Sequence, residues 1–524
     1  MEDLKQHHSA TESAGTSTDP GYNEKHIGIV VEHASGNSSP GLPEDPDAHL
    51  SDAEKAEIDR KLVWKLDLQL IPWWWSLTSG KLCVLYLLSF LDRTNIGNAK
   101  IQGLQKSLGG LSTGRYNAAL TIFFVSYALF EPLANILLKR LRPSIFIPII
   151  MILWGACMLS MGFIKNWNGL MVARFFLGLT EAGLYPGVNY FLSCWYKRQE
   201  FGIRAAIFFS AAAVSGSFGG LLAAAISKMN GLAGLPGWAW IFVIEGLATI
   251  LIGIVSFWLV HDFPDTATFL SEQDRARVIR RLKMDNQSSA EHEEFKMAYL
   301  YAALKDYKMY IGMFMFAGCA MPLYGFSLFL PSIITSMGYK NPTTAQLMSV
   351  PPYACAAALT IGVGFYADKT GRRGLCNMVV PLIGIVGFAL LLGSHDAHVK
   401  YGGTFLAALG IYPCIANTIS WVSNNIEGVY KRGIVIGFVV GFGNLNGVVS
   451  SNIFFEAPQY VAGHGVILGY MTTCLLGSSL LMHVLLKREN AARRAGKRDH
   501  LVEGKTEAEA EAMGDMRPTF IYTI

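Results

Sequence analysis

Apolar blocks about 20 residues long recur along this chain, and that is the length a helix needs to cross a hydrocarbon core roughly 30 Å thick. Twelve such blocks are expected as membrane spans, at 82–104, 116–138, 144–163, 167–194, 201–226, 238–260, 309–333, 344–367, 375–394, 401–424, 433–454 and 465–486. Inside a bilayer the backbone must satisfy its own hydrogen bonds, so blocks of this length are helices. With 52% hydrophobic and only 16% charged residues over 524 positions, a set of soluble domains is excluded. The expected fold class is all-α: a polytopic membrane protein with twelve transmembrane helices.

The remaining segments divide the chain. Residues 1–50 are rich in Ser, Gly, Pro and charge and read as a disordered tail. Residues 51–72 read as an amphipathic helix at the membrane surface, opened by a Ser51/Glu54 capping box, with Leu62, Leu66 and Leu70 on one face. A six-span N-terminal bundle (73–260) and a six-span C-terminal bundle (309–487) flank a charged, helix-forming loop (261–308), and a tail (488–524) follows. The halves echo each other: "YKRQEFGIRAAIFFSAAAVSGSFGG" enters the fifth span and "YKRGIVIGFVVGFGNLNG" the eleventh. Weak internal symmetry of this kind is expected of two bundles packed around a central path.

Charge sets the orientation. Four short loops on one side carry eleven basic residues, and five of the six alternate loops carry seven. The positive-inside rule then makes both termini cytoplasmic. The sequons at Asn37 and Asn286 would be cytoplasmic and unused. The N-terminus has no apolar signal-peptide region. All eight Cys lie in or beside apolar blocks and read as small hydrophobes. No motif calls for a metal or cofactor, and no phosphate loop is present for ATP.

Ionisable residues inside spans are costly and are functional candidates by default. The first span contains "SFLDRTNIGNAK"; counted from Leu82, Asp92 lies ten residues in, about 15 Å, near the midplane. The fourth span carries Arg174 and Glu181, two helical turns apart on a face that Gly178, Tyr185 and Asn189 extend. Pairing these spans supplies two carboxylates, Asp92 and Glu181, and two guanidinium groups, Arg93 and Arg174. Arginine holds a carboxylate bidentately and keeps its charge, and a desolvated acid can exchange a proton. Asn95, Tyr324, Tyr412, Asn417 and Asn444 are further candidates for the substrate path. Glu131 and Glu245 read as structural acids, Gly437 and Gly441 as a close-packing GxxxG pair, and His483 as the one histidine clearly within a span.

"GFYADKTGRR", between the eighth and ninth spans, fits G-x-x-x-D-[RK]-x-G-[RK]-[RK] throughout. It resembles the loop signature of the major facilitator superfamily. Its Gly364, Asp368, Gly371, Arg372 and Arg373 would form a charge clasp, with Asp368 pairing Arg372 at i+4. "FLDRTNIGNA", "PLANILLKRLRPS", "ARFFLGLTEAGLYPGVNYFLSCWYKRQE" and "WAWIFVIEGLATI" resemble the anion:cation symporter family, especially its fungal allantoate-permease branch, over roughly residues 52 to 490. The resemblance implies proton-driven import of a small organic anion of carboxylate, vitamin or allantoate type. It implies that Asp92 and Glu181 couple protons and that Arg93 and Arg174 belong to the substrate network. It also implies a plasma-membrane carrier, monomeric, with no nucleic-acid partner.

The chain departs from that pattern at Trp74 to Lys81, an insertion before the first span. Either Lys81 snorkels beside a Trp73–Trp75 belt, or the segment is an error of the gene model. The fifth span has SGSFGG where drug/proton antiporters usually have G-P-x-x-G-G, which favours symport. Export of an organic acid or secondary metabolite, and a nutrient sensor that does not transport, remain alternatives. No nucleophile–base pair suggests an enzyme.

Overall fold

The computed structural model describes residues 45–70, 81–284, 297–455, 459–506, 509 and 513–524. The N-terminal tail up to residue 44, most of the Trp74–Lys81 insertion, the Trp73–Trp75 belt and both sequons lie outside the described residues.

No strand occurs among the described residues. In the N-terminal half, α1 (Asp52–Leu70) precedes α2 (Lys81–Ile101), α3 (Thr113–Arg140), α4 (Pro143–Met161), α5 (Trp167–Glu181), α6 (Leu184–Ser193), α7 (Arg198–Ile226) and α8 (Gly237–Leu259). The linker contributes α9 (Glu272–Met284) and α10 (Met297–Leu304). The C-terminal half follows with α11 (Tyr307–Ser336), α12 (Pro342–Thr370), α13 (Arg373–Gly393), α14 (Ala397–Asn424), α15 (Val429–Asn452) and α16 (Val461–Arg494), which carries a π-helical stretch at Tyr470–Gly477.

Among the described residues, ten helices are long and apolar enough to cross a membrane. The two expected spans that fall short are the first and fourth, and polarity or a break explains each. Helix α2 carries Lys81, Asp92, Arg93 and Lys100 within 21 residues. The fourth span is divided into α5 and α6 by a turn at Ala182–Gly183. A Cβ at Gly183 would lie 2.9 Å from that of Ala134, so the turn lets two backbones approach.

The described terminal segments share one end of the molecule. Helix α1 is capped as expected: Glu54 accepts from the Ser51 N–H at 2.9 Å, and Leu62, Leu66 and Leu70 are buried on one face. Instead of resting on lipid alone, α1 is strapped to protein. Its Asp67 takes both ends of the Arg204 fork, 2.7 and 2.6 Å away, while Lys65 pairs with Asp274 of α9 at 2.8 Å.

At the same end, residues 513–524 fold back onto the C-terminal half and do not trail away. Asp515 is fully buried against Lys308 and Lys431. Burial by itself would raise its carboxyl, but the two ammonium groups outweigh that and hold it below the usual carboxylate range. Arg493 donates to the carbonyls of Asp515, Arg517 and Phe520 at 3.0, 2.9 and 2.6 Å, and Trp421 donates to that of Thr523 at 2.9 Å.

Glycine positions set how closely helices pack. Gly437 and Gly441, expected as a packing pair, have nothing within 4 Å of a built Cβ. The tight positions on α15 are Gly443 and Gly447, where a Cβ would meet the rings of Phe316 and Phe124 at 2.1 Å. The GxxxG spacing names a face of the helix, but only the neighbour decides whether that face is used.

Candidate functional site

The site is built around Arg93. It sits about midway along α2, almost fully buried, and turns its guanidinium toward the C-terminal half. Glu181, at the last turn of α5, accepts from Arg93 Nη2 at 2.5 Å and Nε at 3.2 Å, both on Oε1. The Ser89 hydroxyl, one turn earlier on α2, donates to the same oxygen at 2.6 Å. The rings of Tyr127, Phe123 and Tyr324 flank the cation, their centroids 5.0, 5.4 and 5.6 Å from its carbon. Aromatic faces favour a cation electrostatically and exclude water from it.

A second set of bonds carries the network across the two halves. Arg93 Nη1 donates to the Tyr324 hydroxyl at 3.2 Å, which donates to Asn444 Oδ1 at 2.6 Å. The Asn444 amide then donates to Glu131 Oε2 at 3.0 Å. Every donor points from the guanidinium toward Glu131. The relay therefore ends on an acceptor carboxylate of α3, after passing through α11 and α15.

Arg93, Tyr185, Tyr324 and Asn444 line a cavity with Tyr86, Tyr127, Phe209 and Phe316. Its volume is about 10 Å³, room for about one water molecule and for no organic ligand. The halves touch on both sides of it. Toward the end away from the terminal segments, a Cβ at Gly97 of α2 would lie 2.5 Å from the Leu328 carbonyl, and Gln102 bonds Gln346 at 3.2 Å. At the other end, Asp368 accepts from the Ile203 N–H of α7 and pairs with Arg373.

The other expected residues fall elsewhere. Asp92 and Arg93, adjacent in sequence, meet different surroundings, because consecutive helical residues point about 100° apart. Asp92 faces the interior of the N-terminal half, accepting from Trp154 Nε1 at 2.9 Å and the Thr249 hydroxyl at 3.0 Å. Asn95 lies on that same side and donates to Glu245. Arg174 is buried over the Phe123 ring at 4.7 Å and donates to the Ala119 carbonyl at 3.3 Å, not to the cavity. Tyr412 packs edge-on against Tyr353, centroids 5.8 Å apart. Asn417 ties α14 to α13 through the Arg373 carbonyl and Asn377, each at 2.8 Å.

The loop motif is corrected in one detail. Asp368 pairs with Arg373, and Arg372 is exposed. Gly371 adopts a left-handed conformation at φ 67° and ends α12, so the i+4 register is broken before Arg372. Gly364 earns its place at this contact, since a Cβ there would lie 2.4 Å from that of Ala206 on α7.

Gly364→Val is therefore expected to hold α7 and α12 apart. Overpacking costs about 1–3 kcal/mol, enough to lower transport roughly 5- to 150-fold at unchanged membrane abundance. Gly437→Val, whose Cβ has nothing within 4 Å, serves as the control in the same uptake and immunoblot measurement. Equal effects of the two substitutions would remove the clasp from the transport cycle.

Tyr86 and Tyr127 line the cavity and Glu131 ends the relay, although Glu131 was expected to be structural and neither tyrosine was singled out. A signal was present: Tyr86 and Arg93 are seven apart on one helix, and Tyr127 and Glu131 four apart on another. His464 is also buried within α16, between the rings of Phe388 and Phe454, so His483 is not the one histidine in a span.

The comparisons agree with this architecture. Residues 82–451 match the Major Facilitator Superfamily. The chain is 34% identical over 486 residues to MFS transporter prlL of Fungal sp. (strain NRRL 50135), covering 90% of this chain and 94% of that protein. It is 35% identical over 493 residues to MFS-type transporter cnsO of Penicillium expansum, covering 91% and 93%. To the high-affinity nicotinic acid transporter of Saccharomyces cerevisiae it is 33% identical over 441 residues, covering 84% and 80%. Among solved structures, an inward-facing, occupied bacterial homologue of the human lysosomal transporter Spinster aligns with a TM-score of 0.55 at 17% identity, over 78% of this chain and 96% of that one, a likeness of fold. With apolar helices long enough to span a bilayer, a loop signature complete at every position, and close relatives named as transporters, this multi-pass membrane protein belongs to the Major Facilitator Superfamily.

Proposed function

We propose that the protein imports a small organic anion together with protons, and that Arg93 is the group that holds the anion. The observation that carries this reading is the buried Arg93–Glu181 pair beside a cavity shared by both halves. The guanidinium fork is occupied by an internal carboxylate, Glu181, in the position a substrate carboxylate would take. An incoming anion must displace Glu181, and an ionised Glu181 left unpaired in this setting is strongly disfavoured. A proton on Glu181 removes that obstacle. Proton and anion then enter together, which is the stoichiometric requirement of symport.

The closed cavity fits an alternating-access cycle in which the halves part at one end at a time. The Arg93–Tyr324–Asn444–Glu131 relay crosses between the halves, so loading Arg93 bears directly on the contact that must break. The relative named for nicotinic acid supports a monocarboxylate of vitamin type as the substrate class. The basic residues gathered at the terminal end support cytoplasmic termini, and we place the carrier in the plasma membrane as a monomer.

Uptake of labelled nicotinate, pantothenate, biotin and allantoate is the test, in yeast lacking its own carriers, with and without a protonophore. At least one compound is expected to accumulate, more at acid than at alkaline external pH, and the protonophore should abolish the gradient. Efflux from preloaded cells without uptake would replace import with export.

A further inference from the structure

The face of α2 opposite Arg93 holds a second polar cluster. Asp92 and Glu245 are each at most 1% exposed. Asp92 uses Oδ2 for the Trp154 and Thr249 donors, and its Oδ1 has no hydrogen-bond partner. Glu245 accepts from the Asn95 amide on Oε2, and its Oε1 has no partner. The Asn95 Oδ1, fully buried, is unpartnered as well.

The register makes this one site. Asp92 and Asn95 are three apart on α2, and Glu245 and Thr249 are four apart on α8, so each pair shares a helical face. The two faces meet through the Asn95–Glu245 and Thr249–Asp92 bonds. Helix α4 closes the third side with Trp154, and it is held tightly there: a Cβ at Gly246 would lie 2.5 Å from the Leu159 backbone nitrogen.

Charge does not balance in this cluster. Among the described residues no lysine, arginine or histidine pairs with either carboxylate. The charge that bears on Asp92 is that of Glu181, which is already bound to Arg93, and the charge that bears on Glu245 is that of Asp92. An uncompensated buried ion costs several kcal/mol, and a pair of them more. Glu181 has a counter-ion; this pair has neutral donors.

Asn95 adds a chemical reason to read the cluster as a place where a proton comes and goes. An amide donates through its NH₂ to a carboxylate and accepts through its oxygen from a carboxylic acid. Turning the amide over therefore satisfies Glu245 in both protonation states, with no other side chain moving. A lysine or a hydrophobic residue could not do this.

We propose that Glu245, with Asp92 and the reversible Asn95 amide, forms a proton-binding site of the carrier, behind the anion site on the same helix. The proton held here then lies on a different side of α2 from Arg93 and Glu181, and a rotation or tilt of that one helix reads both sites. This rests on the symport reading only for its use in transport; proton binding at the pair stands by itself.

The experiment is therefore made on the proton. Infrared spectra of the purified full-length protein in lipid nanodiscs are recorded across a pH jump, with proton release followed by an indicator dye. The unmodified protein should show a carboxylic-acid carbonyl band at neutral pH. Glu245→Gln should lose part of that band and release a full proton fewer, while Glu245→Asp, which keeps a carboxyl, retains both. A band and proton count unchanged in Glu245→Gln would overturn the proposal, and so would their loss in a folded Glu245→Asp. If Glu245→Gln is not recovered folded, Asn95→Leu gives the same reading: without the amide that serves both states of Glu245, the pair should release its proton at a different pH, and an unmoved release would overturn it. Missing proton-driven uptake with the infrared result intact would sink the symport reading and leave this site standing.

Discussion

Arg93→Lys is expected to weaken apparent substrate affinity by roughly 10- to 100-fold while the protein still reaches the membrane. The positive charge survives, so the anion is still attracted. What is lost is the planar fork, which in the structure donates in one direction to Glu181 and in another to Tyr324. Lysine offers a compact ammonium that cannot make both bonds in these fixed directions. Losing a hydrogen bond to a charged group costs about 1.5–3 kcal/mol, and each 1.4 kcal/mol is tenfold in affinity. The deficit should appear in the concentration dependence of uptake, with Arg93→Gln inactive at all concentrations. Unchanged apparent affinity in Arg93→Lys would remove Arg93 from the substrate site.

Glu181→Gln is expected to separate transport from its driving force. The amide mimics the protonated acid: its oxygen can still accept from Arg93, but the negative charge that competes with an incoming anion is gone whatever the pH. Binding of labelled substrate at alkaline pH should rise about tenfold or more, counterflow exchange should persist, and accumulation against a gradient should fail. The substitution also carries a stability signature. Removing one member of a buried pair costs about 3–5 kcal/mol because the other charge is left uncompensated. A bound anion replaces the missing carboxylate. The substrate-induced rise in melting temperature should therefore be larger in Glu181→Gln than in the unmodified protein. Proton-driven accumulation at the ordinary level would show that Glu181 is not the coupling group.

Much of this protein was legible from one sequence. Apolar block length depends on bilayer thickness and not on neighbours, so most of the ten spans among the described residues could be placed to within a few residues. The helical period brought Arg174 and Glu181 onto one expected face, and the loop pattern GFYADKTGRR pointed to a charge clasp at Asp368. These are local regularities, and each follows from the geometry of a single helix.

The same regularities could not say which neighbour each face meets. Asp92 and Arg93 are adjacent in sequence and point into different environments, Asp92 toward Trp154 and Thr249, Arg93 toward Glu181 and Tyr324. Glu131 and Glu245 look alike as lone acids in apolar helices. One ends a relay from Arg93, and the other shares a buried amide with Asp92's side of α2. Asp368 finds Arg373 because Gly371 turns the chain left-handed at the helix end. The sequence by itself determined that helices would span a membrane, which residues in them would be expensive to bury, and which loop would carry a paired Asp368. The pairing of those residues was decided only by tertiary packing. An intramembrane charge is stabilised by whatever lies within a few ångströms across the helix interface, and that distance is not written along the chain.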